Sequence, residues 1–533
     1  MGVGKTRVGR EIAHRTDRQF VDMDAVIEAR EGRTIADIFA QKGEAHFRRL
    51  ESDLCHELAA RSGPRGPATK NAEPNSSSSV QGLVIATGGG ALLHPDNREI
   101  MAASGPVVQL SASIDEIVRR LEAAEDRPLL DVADRRARIE DLLAERAEAY
   151  ARIPLQVDTT GLTIAQAADR VMAMASRQLP TTVRVHYPGG EYPVLLGRGL
   201  LRETGALLRQ AGVEGRIALV TNPTIGELYA SRVRHSLKAA GYEAALCLVP
   251  DGEAHKRLAT VRTLYDKFVE AGLDRHGAVL ALGGGVVGDM AGFAAATFLR
   301  GVPLAQLPTS LLAMVDASVG GKVAVDHPRG KNLIGAFKQP KLVIADPDTL
   351  DSLPAAELAN GLAESVKAGL LGDPALFKHL ESYGAAPLPW TIERAVRVKV
   401  AVVEADPYER GQRAVLNLGH TFGHALELLS DYTLAHGAAV SIGLVAAARL
   451  SARLGLCDPA LASRVEDVLA RLGLPTTYRN QTPLEVWKAM ATDKKRRGDR
   501  LRFVLLRAVG DAFVTDRAVQ SDVMAVLETM VGS

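Results

Sequence analysis

Short apolar runs alternating with amphipathic stretches organise most of the chain. QFVDMD (19–24), LVIATGGGALL (83–93) and VVQLSAS (107–113) read as buried strands, while GEAHFRRLE (43–51) and TIAQAADRVMAMASRQ (163–178) have helical spacing. QLPTT (178–182) reads as a short linker. VRVHYPGGEYPVLLG (183–197) then alternates as a hairpin around Pro188-Gly189-Gly190. IALVTNPTI (217–225), ALCLVPDGEAHK (245–256) and AVLALGGGVVGDMAGFAAATFLRG (278–301) each begin as a strand and run towards a helix. From Ala355 onward the spacing becomes helical, as in GLAESVKAGLL (361–371). Strands alternating with helices predict parallel α/β sheets, followed by a helical domain.

Composition narrows the class. A chain of 533 residues suggests roughly two to four domains. Hydrophobic residues make up 47% and charged residues 24%, ordinary for a soluble globular protein. The net charge of +1 gives no bulk electrostatic reason to bind nucleic acid or an anionic membrane. No apolar run approaches the ~18 residues of a spanning helix, and no signal-peptide pattern is present. Cys55, Cys247 and Cys457 lie far apart with no CxxC spacing, which fits a reducing, cytoplasmic setting.

LNLGHTFGHALELL (416–429) carries the densest chemistry. Asn417, His420 and His424 recur at i, i+3 and i+7, which on one helix sets them along one face. Two His four residues apart suit a divalent metal. Thr421 follows the first His, which excludes the HExxH peptidase pattern. An ordinary amphipathic helix is the competing reading, and His436 before Gly437 favours a site. Near the start, Gly2, Gly4, Lys5 and Thr6 read as the back half of a phosphate-binding GxxxxGK[ST] loop. Asp22 and Asp24 end a strand, Gly88, Gly89 and Gly90 follow another, and Arg127 and Arg146 lie further on. Arg49 and Glu51 read as a solvated helical face. Gly283, Gly284, Gly285 and Gly288, followed by Asp289, form a turn where a dinucleotide pyrophosphate is expected. Asp316, Lys322, Lys331 and Asn332 lie in a stretch more polar than a core requires.

GKT, DxD, GExxFRxxE, GGG, RPLL and ERxxxY together make residues 1–176 resemble shikimate kinase, a P-loop nucleoside monophosphate kinase-type fold. The resemblance implies ATP and Mg²⁺ at Gly2, Gly4, Lys5, Thr6 and Asp22, with Arg127 as a lid arginine. Shikimate would lie against Asp24, Arg48, Gly88, Gly89, Gly90 and Arg146. Residues 62–82, rich in Pro, Gly, Ser and Asn, are expected to be a disordered insertion without chemistry. Residue 1 falls inside the phosphate loop, so the natural protein is expected to begin upstream, with a strand that aims the loop. A weakened relic of a kinase is the alternative.

PDGEAHK, GGGVVGD, VDASVGGK, GKNLIGAF, GLAESVK, NLGHTFGHALE and HGAAV make residues from 183 resemble 3-dehydroquinate synthase. The resemblance implies a Rossmann-like NAD-binding domain (183–350) and a helical metal and substrate domain (351–533), joined to the kinase part by a linker (177–182). It assigns a divalent metal, Zn²⁺ or Co²⁺, to Glu364, His420 and His436, and sets His424 on the substrate side. Lys322, Lys367, Lys399, Arg413, Asn417, Lys494 and Lys495 would line the site, and Asp316 would meet the hydroxyl that is oxidised. Arg300 would reach the substrate phosphate across a homodimer of synthase parts. NAD would lie against Asn222, Glu253, Lys256, Gly284, Gly285, Asp289, Thr309, Ser310, Lys331 and Asn332. Met314 and Ala438 depart from the usual pattern without removing a ligand.

The implied reaction converts 3-deoxy-D-arabino-heptulosonate 7-phosphate into 3-dehydroquinate and phosphate, with no net redox change. Small-molecule substrates are therefore expected, with neither nucleic acid nor membrane as partner. The alternatives are another sugar-phosphate cyclase, or a metal-dependent polyol dehydrogenase carrying an inactive nucleotide-binding domain. A non-enzymatic nucleotide-binding scaffold also stays open for the N-terminal part.

Overall fold

The computed structural model describes residues 2–16, 18–61, 82–122, 135–175, 180–494 and 501–532. Arg127, Lys495 and residues 62–81 of the expected insertion lie outside them. One compact unit comprises Met1–Leu179 with Ala386–Trp390, and the other comprises Pro180–Ala385 with Thr391–Ser533.

The smaller unit is α/β. Strands β1 (Gln19–Asp22) and β2 (Leu83–Ala86) pair in parallel, as do β3 (Val108–Ser111) and β4 (Leu155–Asp158). They form two separate two-stranded sheets rather than one continuous sheet. The Lys5–Thr16 helix follows the glycine loop and packs Val8 with Leu110, Ile117 and Val157. Burying these side chains is worth about 1.5–3 kcal/mol each for the larger aliphatics.

The larger unit is built on a seven-stranded sheet of order β5-β6-β13-β10-β9-β7-β8. Its strands are β5 (Thr181–Tyr187), β6 (Gly190–Leu196), β7 (Ile217–Thr221), β8 (Ala244–Leu248), β9 (Ala278–Gly283), β10 (Leu304–Pro308) and β13 (Leu342–Ala345). Only β5 and β6 pair antiparallel, as the predicted hairpin; the rest are parallel. Thr181 and Thr182, expected in the linker, already pair with Leu196 and Leu195. Strands β7, β9, β10 and β13 are buried throughout, because helices cover both faces of a parallel sheet. Val220, Phe268, Met290 and Leu304 fill one face, and Leu219, Leu237, Leu280 and Ile344 the other.

Chain order places the binding crevice. From β7 the chain steps outward to β8, then returns to β9 on the other side of β7. Strand order therefore reverses between β7 and β9, and ligands of such sheets bind beyond the carboxyl ends at that point. An antiparallel hairpin of β11 (Lys322–His327) and β12 (Gly330–Phe337) carries the polar stretch that the pattern left unassigned.

Helices Ala355–Gly372, Leu388–Ala405, His420–Leu429 and His436–Arg453 then dominate. They are followed by a hairpin of β14 (Phe503–Ala508) and β15 (Asp511–Thr515), which helical spacing did not predict. Asn417 does not share a helix with His420. It ends the Gln412–Asn417 turn, and the next helix begins at His420. Gly419 causes the break with φ +79°, and a Cβ there would lie 3.1 Å from the Val440 carbonyl oxygen. A Cβ on Gly443 would meet the Gly419 oxygen at 2.0 Å, so the two segments touch backbone to backbone. Among the described residues, no helix is long and apolar enough to cross a membrane.

Candidate active sites

Three helices of the larger unit converge on one point. Glu364 lies within the Ala355–Gly372 helix, while His420 and His436 each open a helix. One ligand atom from each residue lies within 4.8 Å of the others. Glu364 Oε1 is 3.7 Å from His420 Nε2 and 3.5 Å from His436 Nε2. That oxygen is buried and has no hydrogen-bond partner among the described residues. Burial opposes the Glu364 charge, but Lys367 and the two imidazoles outweigh it and hold the carboxyl well below its usual range. Burial, then Lys367, pushes His420 down to about 3, which keeps its imidazole neutral.

The hydrogen-bond partners of the rings favour ligation. His420 Nδ1 faces the Leu418 carbonyl oxygen at 3.1 Å, and His436 Nδ1 faces Glu427 Oε2 at 3.4 Å. With its proton on Nδ1, the neutral His420 presents an Nε2 lone pair towards Glu364. Burial lowers the pKa of His436, but Glu364 and Glu427 outweigh it and raise it to about 9, so a bound ion would take the place of its Nε2 proton. Two imidazoles and one carboxylate, with further positions open, suit Zn²⁺ or Co²⁺ in a catalytic role. The His424 ring lies 5.2 Å from that of His420 and 6.4 Å from that of His436, beside the three-residue group.

Charged side chains crowd the same point. Lys367 pairs with Glu364 one helical turn away, and Lys399 pairs with Asp316. Asp316, Glu364, Lys367, Lys399 and Leu416 line one narrow cavity. Burial, then the nearby Lys367, lowers the pKa of Lys399. Arg413 is 1% exposed. It donates to Pro407 O at 2.8 Å and Gly320 O at 3.2 Å, leaving its buried Nε without a partner among the described residues. Its loop is held by Asp406, whose carboxylate accepts from the backbone N–H groups of Arg410, Gly411 and Arg413 at 2.8, 2.7 and 3.1 Å.

Other expected residues lie further out. Lys322 pairs with Glu409 at 2.6 Å on an exposed edge. Arg300 lies on an exposed turn whose Leu299 and Arg300 take φ of +49° and +66°. Lys494 ends the Pro483–Lys494 helix.

The crevice between β7 and β9 holds the expected nucleotide residues. Gly284 caps the Gly285–Thr297 helix, whose first N–H groups face outward from the sheet. A Cβ on Gly284 would lie 3.5 Å from Ser310 Oγ. Lys256 is buried, 2.6 Å from both Asp289 Oδ2 and Asn332 Oδ1 and 3.8 Å from Glu253 Oε1. Burial pushes Asp289 up to about 6 despite Lys256. Asn222 Oδ1 accepts from Ile225 N at 2.9 Å and caps the turn after β7.

Thr309 Oγ1, just beyond β10, and Thr221 Oγ1, at the end of β7, are buried without hydrogen-bond partners among the described residues. These orphaned hydroxyls beside a glycine-capped helix start fit a dinucleotide. Thr221 was overlooked in the sequence because one Thr in an apolar strand is unremarkable; its place as the last residue before the crevice is the signal. Lys331, expected at the cofactor, pairs with Glu427 at 3.3 Å.

The smaller unit gathers a second polar site. Gly2 and Gly4 take φ of +71° and +91°, turning the loop into the Lys5–Thr16 helix. Thr6 Oγ1 donates to Asp22 Oδ2 at 2.8 Å, and Asp22 Oδ1 accepts from Asp24 N at 3.2 Å. Arg48 meets Glu51 at 2.6 Å and Glu44 at 2.7 Å. Glu51 is 2% exposed, so the reading of it as part of a solvated face is corrected: it is the buried partner of Arg48.

The glycine triplet permits these approaches. A Cβ on Gly90 would lie 1.8 Å from Arg48 Nη1, and one on Gly88 would lie 2.6 Å from Asp24 Oδ1. Gly89 O accepts from Arg146 at 3.1 Å and from the Tyr150 hydroxyl at 2.7 Å. A cavity of about 220 Å³ is lined by Lys5, Gly88, Gly89, Gln109, Leu143 and Tyr150.

Known proteins match both units. The shikimate kinase family model matches residues 1–64 and 74–176. Models for 3-dehydroquinate synthase match residues 246–360 (N-terminal) and 361–496 (C-terminal). The 3-dehydroquinate synthase of Pelobacter propionicus is 46% identical over 344 residues, covering 63% of this chain and 96% of the relative. That of a Synechococcus species is 44% identical over 361 residues, covering 65% and 98%. A solved 2-epi-5-epi-valiolone synthase from Streptomyces hygroscopicus, with NAD⁺ and Zn²⁺ bound, is 32% identical with a TM-score of 0.60, covering 64% of this chain and 96% of that one. A solved 2-deoxy-scyllo-inosose synthase, 24% identical with a TM-score of 0.60 over 66% of this chain and 100% of its own, shares the fold. Family matches, relatives and site geometry agree: the chain belongs to the 3-dehydroquinate synthase family and carries a shikimate kinase domain ahead of its synthase part.

Proposed function

We propose that the synthase part converts 3-deoxy-D-arabino-heptulosonate 7-phosphate into 3-dehydroquinate and phosphate, at the site around Glu364. The kinase part phosphorylates shikimate with ATP, so the chain supplies two steps of the shikimate pathway. The observation that carries the synthase reading is the buried, unpartnered Glu364 Oε1 facing two imidazole Nε2 atoms. When bound, a divalent ion there supplies Lewis-acid polarisation of a substrate hydroxyl, and NAD⁺ in the crevice supplies reversible hydride transfer.

The protein's own residues then have defined work. Asp316, paired with Lys399, holds the hydroxyl to be oxidised, and Lys399, whose pKa burial lowers, is poised to exchange a proton with it. Lys367 and Arg413 bring positive charge to the substrate carboxylate and phosphate. Arg413 is held in place by two carbonyl oxygens, so little ordering remains for it to undergo on binding. His424, outside the ligand group, moves protons on the substrate side. The resemblance to 3-dehydroquinate synthases assigns Asn417, Lys322, Lys494 and Lys495 as further substrate contacts. Arg300 binds the phosphate of the partner subunit's substrate, which makes the assembly a homodimer.

In the crevice, Asn222, Thr309, Ser310 and the Gly284–Gly285 turn hold the dinucleotide, with Glu253, Lys256, Asp289 and Asn332 around it. In the kinase part, Lys5 and Arg127 neutralise the transferring phosphate, while Asp24, Arg48 and Arg146 orient shikimate. Thr6 and Asp22 are the residues that would hold Mg²⁺, and their 2.8 Å contact supports that pairing. Domain limits of 1–176, 183–350 and 351–533 go with this assignment. Three free cysteines support a cytoplasmic setting.

The test is direct. Purified protein given the phosphosugar acid should release phosphate with catalytic NAD⁺ and show no net NADH. Accumulation of NADH in step with substrate loss would instead establish a polyol dehydrogenase.

A further inference from the structure

Glu427 is assigned no contact with metal, substrate or cofactor above, yet it is only 3% exposed, on the buried, apolar side of the His420–Leu429 helix with Phe422, Ala425 and Leu426. A buried carboxylate is unfavourable unless both oxygens find partners. Here they do, in two different directions. Oε2 faces His436 Nδ1 at 3.4 Å, and Oε1 meets Lys331 Nζ at 3.3 Å. Lys331 comes from β12 of the hairpin inserted in the nucleotide half, and its ammonium also lies 4.5 Å from the centre of the Tyr432 ring.

The next residue of that hairpin, Asn332, accepts from Lys256 at 2.6 Å in the nucleotide crevice. Its backbone N donates to Asp326 Oδ1 at 2.7 Å, and Asp326 N donates to Lys256 O at 2.7 Å. One short hairpin therefore grips the Lys256 cluster on one side and Glu427 on the other.

We propose that Glu427 is a positioning residue for the metal centre, an inference that rests on the metal reading given above. Its carboxylate takes the Nδ1 proton of His436 as a hydrogen bond, which fixes the tautomer and aims Nε2 at the point 3.5 Å from Glu364 Oε1. Lys331 holds Glu427 in that pose from the nucleotide half. The two imidazoles thereby differ, His420 being oriented by a neutral backbone carbonyl and His436 by a charged carboxylate. The carboxylate makes His436 the more basic nitrogen donor, the arrangement that strengthens binding of a divalent ion.

The experiment uses the full chain, stripped of metal, as wild type, Glu427→Gln, Glu427→Ala and Lys331→Met. Zn²⁺ affinity is measured by competition with a chromophoric chelator, and the Co²⁺ form is followed by its visible absorption. Glu427→Ala should weaken Zn²⁺ binding by about 10–100-fold and shift the Co²⁺ bands. Glu427→Gln, which keeps an acceptor and nearly the same volume, should lose less, and Lys331→Met less again. Glu427→Gln decides the matter if the alanine variant fails to fold. Zn²⁺ affinity and Co²⁺ bands equal to wild type in the Glu427 variants, even with a lowered melting temperature, would overturn this inference alone. A wild-type protein that binds neither ion would overturn the metal centre and this inference with it.

Discussion

The two polar sites of this chain satisfy their side chains in opposite ways. In the kinase unit Thr6 is paired with Asp22, Arg48 with Glu51 and Glu44, and Arg146 with Gly89. In the synthase unit Glu364 Oε1, Thr221 Oγ1, Thr309 Oγ1 and Arg413 Nε are buried with no partner among the described residues. A ligand entering the first site must exchange existing hydrogen bonds for its own, so each contact yields a small net gain. A ligand entering the second meets atoms already desolvated, where each unmade hydrogen bond costs about 1–3 kcal/mol. Binding there relieves an unfavourable burial, and the contrast predicts unequal sensitivity to mutation.

The largest effect should come from the least satisfied atom. Glu364→Ala should abolish metal binding and synthase turnover together; metal analysis that finds the ion retained would break the comparison. His424→Ala comes next. It should keep the metal while turnover falls by about 10²–10⁴-fold, the usual loss for a general acid or base. Metal loss in that variant would instead make His424 a ligand.

The kinase site should respond less. Glu51→Ala removes one charged hydrogen bond of Arg48 and leaves the Glu44 pair, so kcat/KM for shikimate should fall by about 10–100-fold, the equivalent of about 1.5–3 kcal/mol. A fall as large as that of the synthase variants would erase the distinction between the sites.

A smaller effect depends on pH. The backbone N–H of Arg410, then those of Arg413 and Gly411, hold the Asp406 carboxyl below its usual value. Its folded pKa is depressed, so its stabilisation is fully present above about pH 4, the unfolded value, and is lost as pH falls further. Asp406→Ala should therefore lower the melting temperature at pH 7, and the gap from wild type should narrow below about pH 4. The smallest effect is chemical. Burial pushes Cys55 up to about 12 and Cys247 up to about 11, whereas Cys457 is partly exposed. Mild alkylation followed by peptide mapping should find Cys457 modified first.

Most of the larger unit was readable from residue order, because central parallel strands are continuous apolar runs and the chain enters them in sequence. What escaped was set by tertiary contact. Asn417 looked helical by spacing, but Gly419 lies against the Val440 carbonyl and ends the turn before the helix begins. Glu51 reads as a solvated charge because its i−3 spacing from Arg48 suits an exposed pair as well as a buried one, and Glu427 escapes notice because Lys331 lies 96 residues away in the chain. The hairpins at 322–337 and 503–515 escaped because polar and mixed stretches carry little periodicity. The ligand group was reached by resemblance; residue spacing alone pointed to His420 with His424, and chain separation hid Glu364.

The contact between Gly419 and Gly443 works as a mechanical stop. At that point backbone meets backbone, with no side chain between the segments to repack, swell or be exchanged. The distance from His420 to the helix bearing His436 is thus limited there by backbone contact. A side chain placed at Gly419 or Gly443 would push the two segments apart beside the ligands, whereas a substitution further along the pair acts first on side-chain packing.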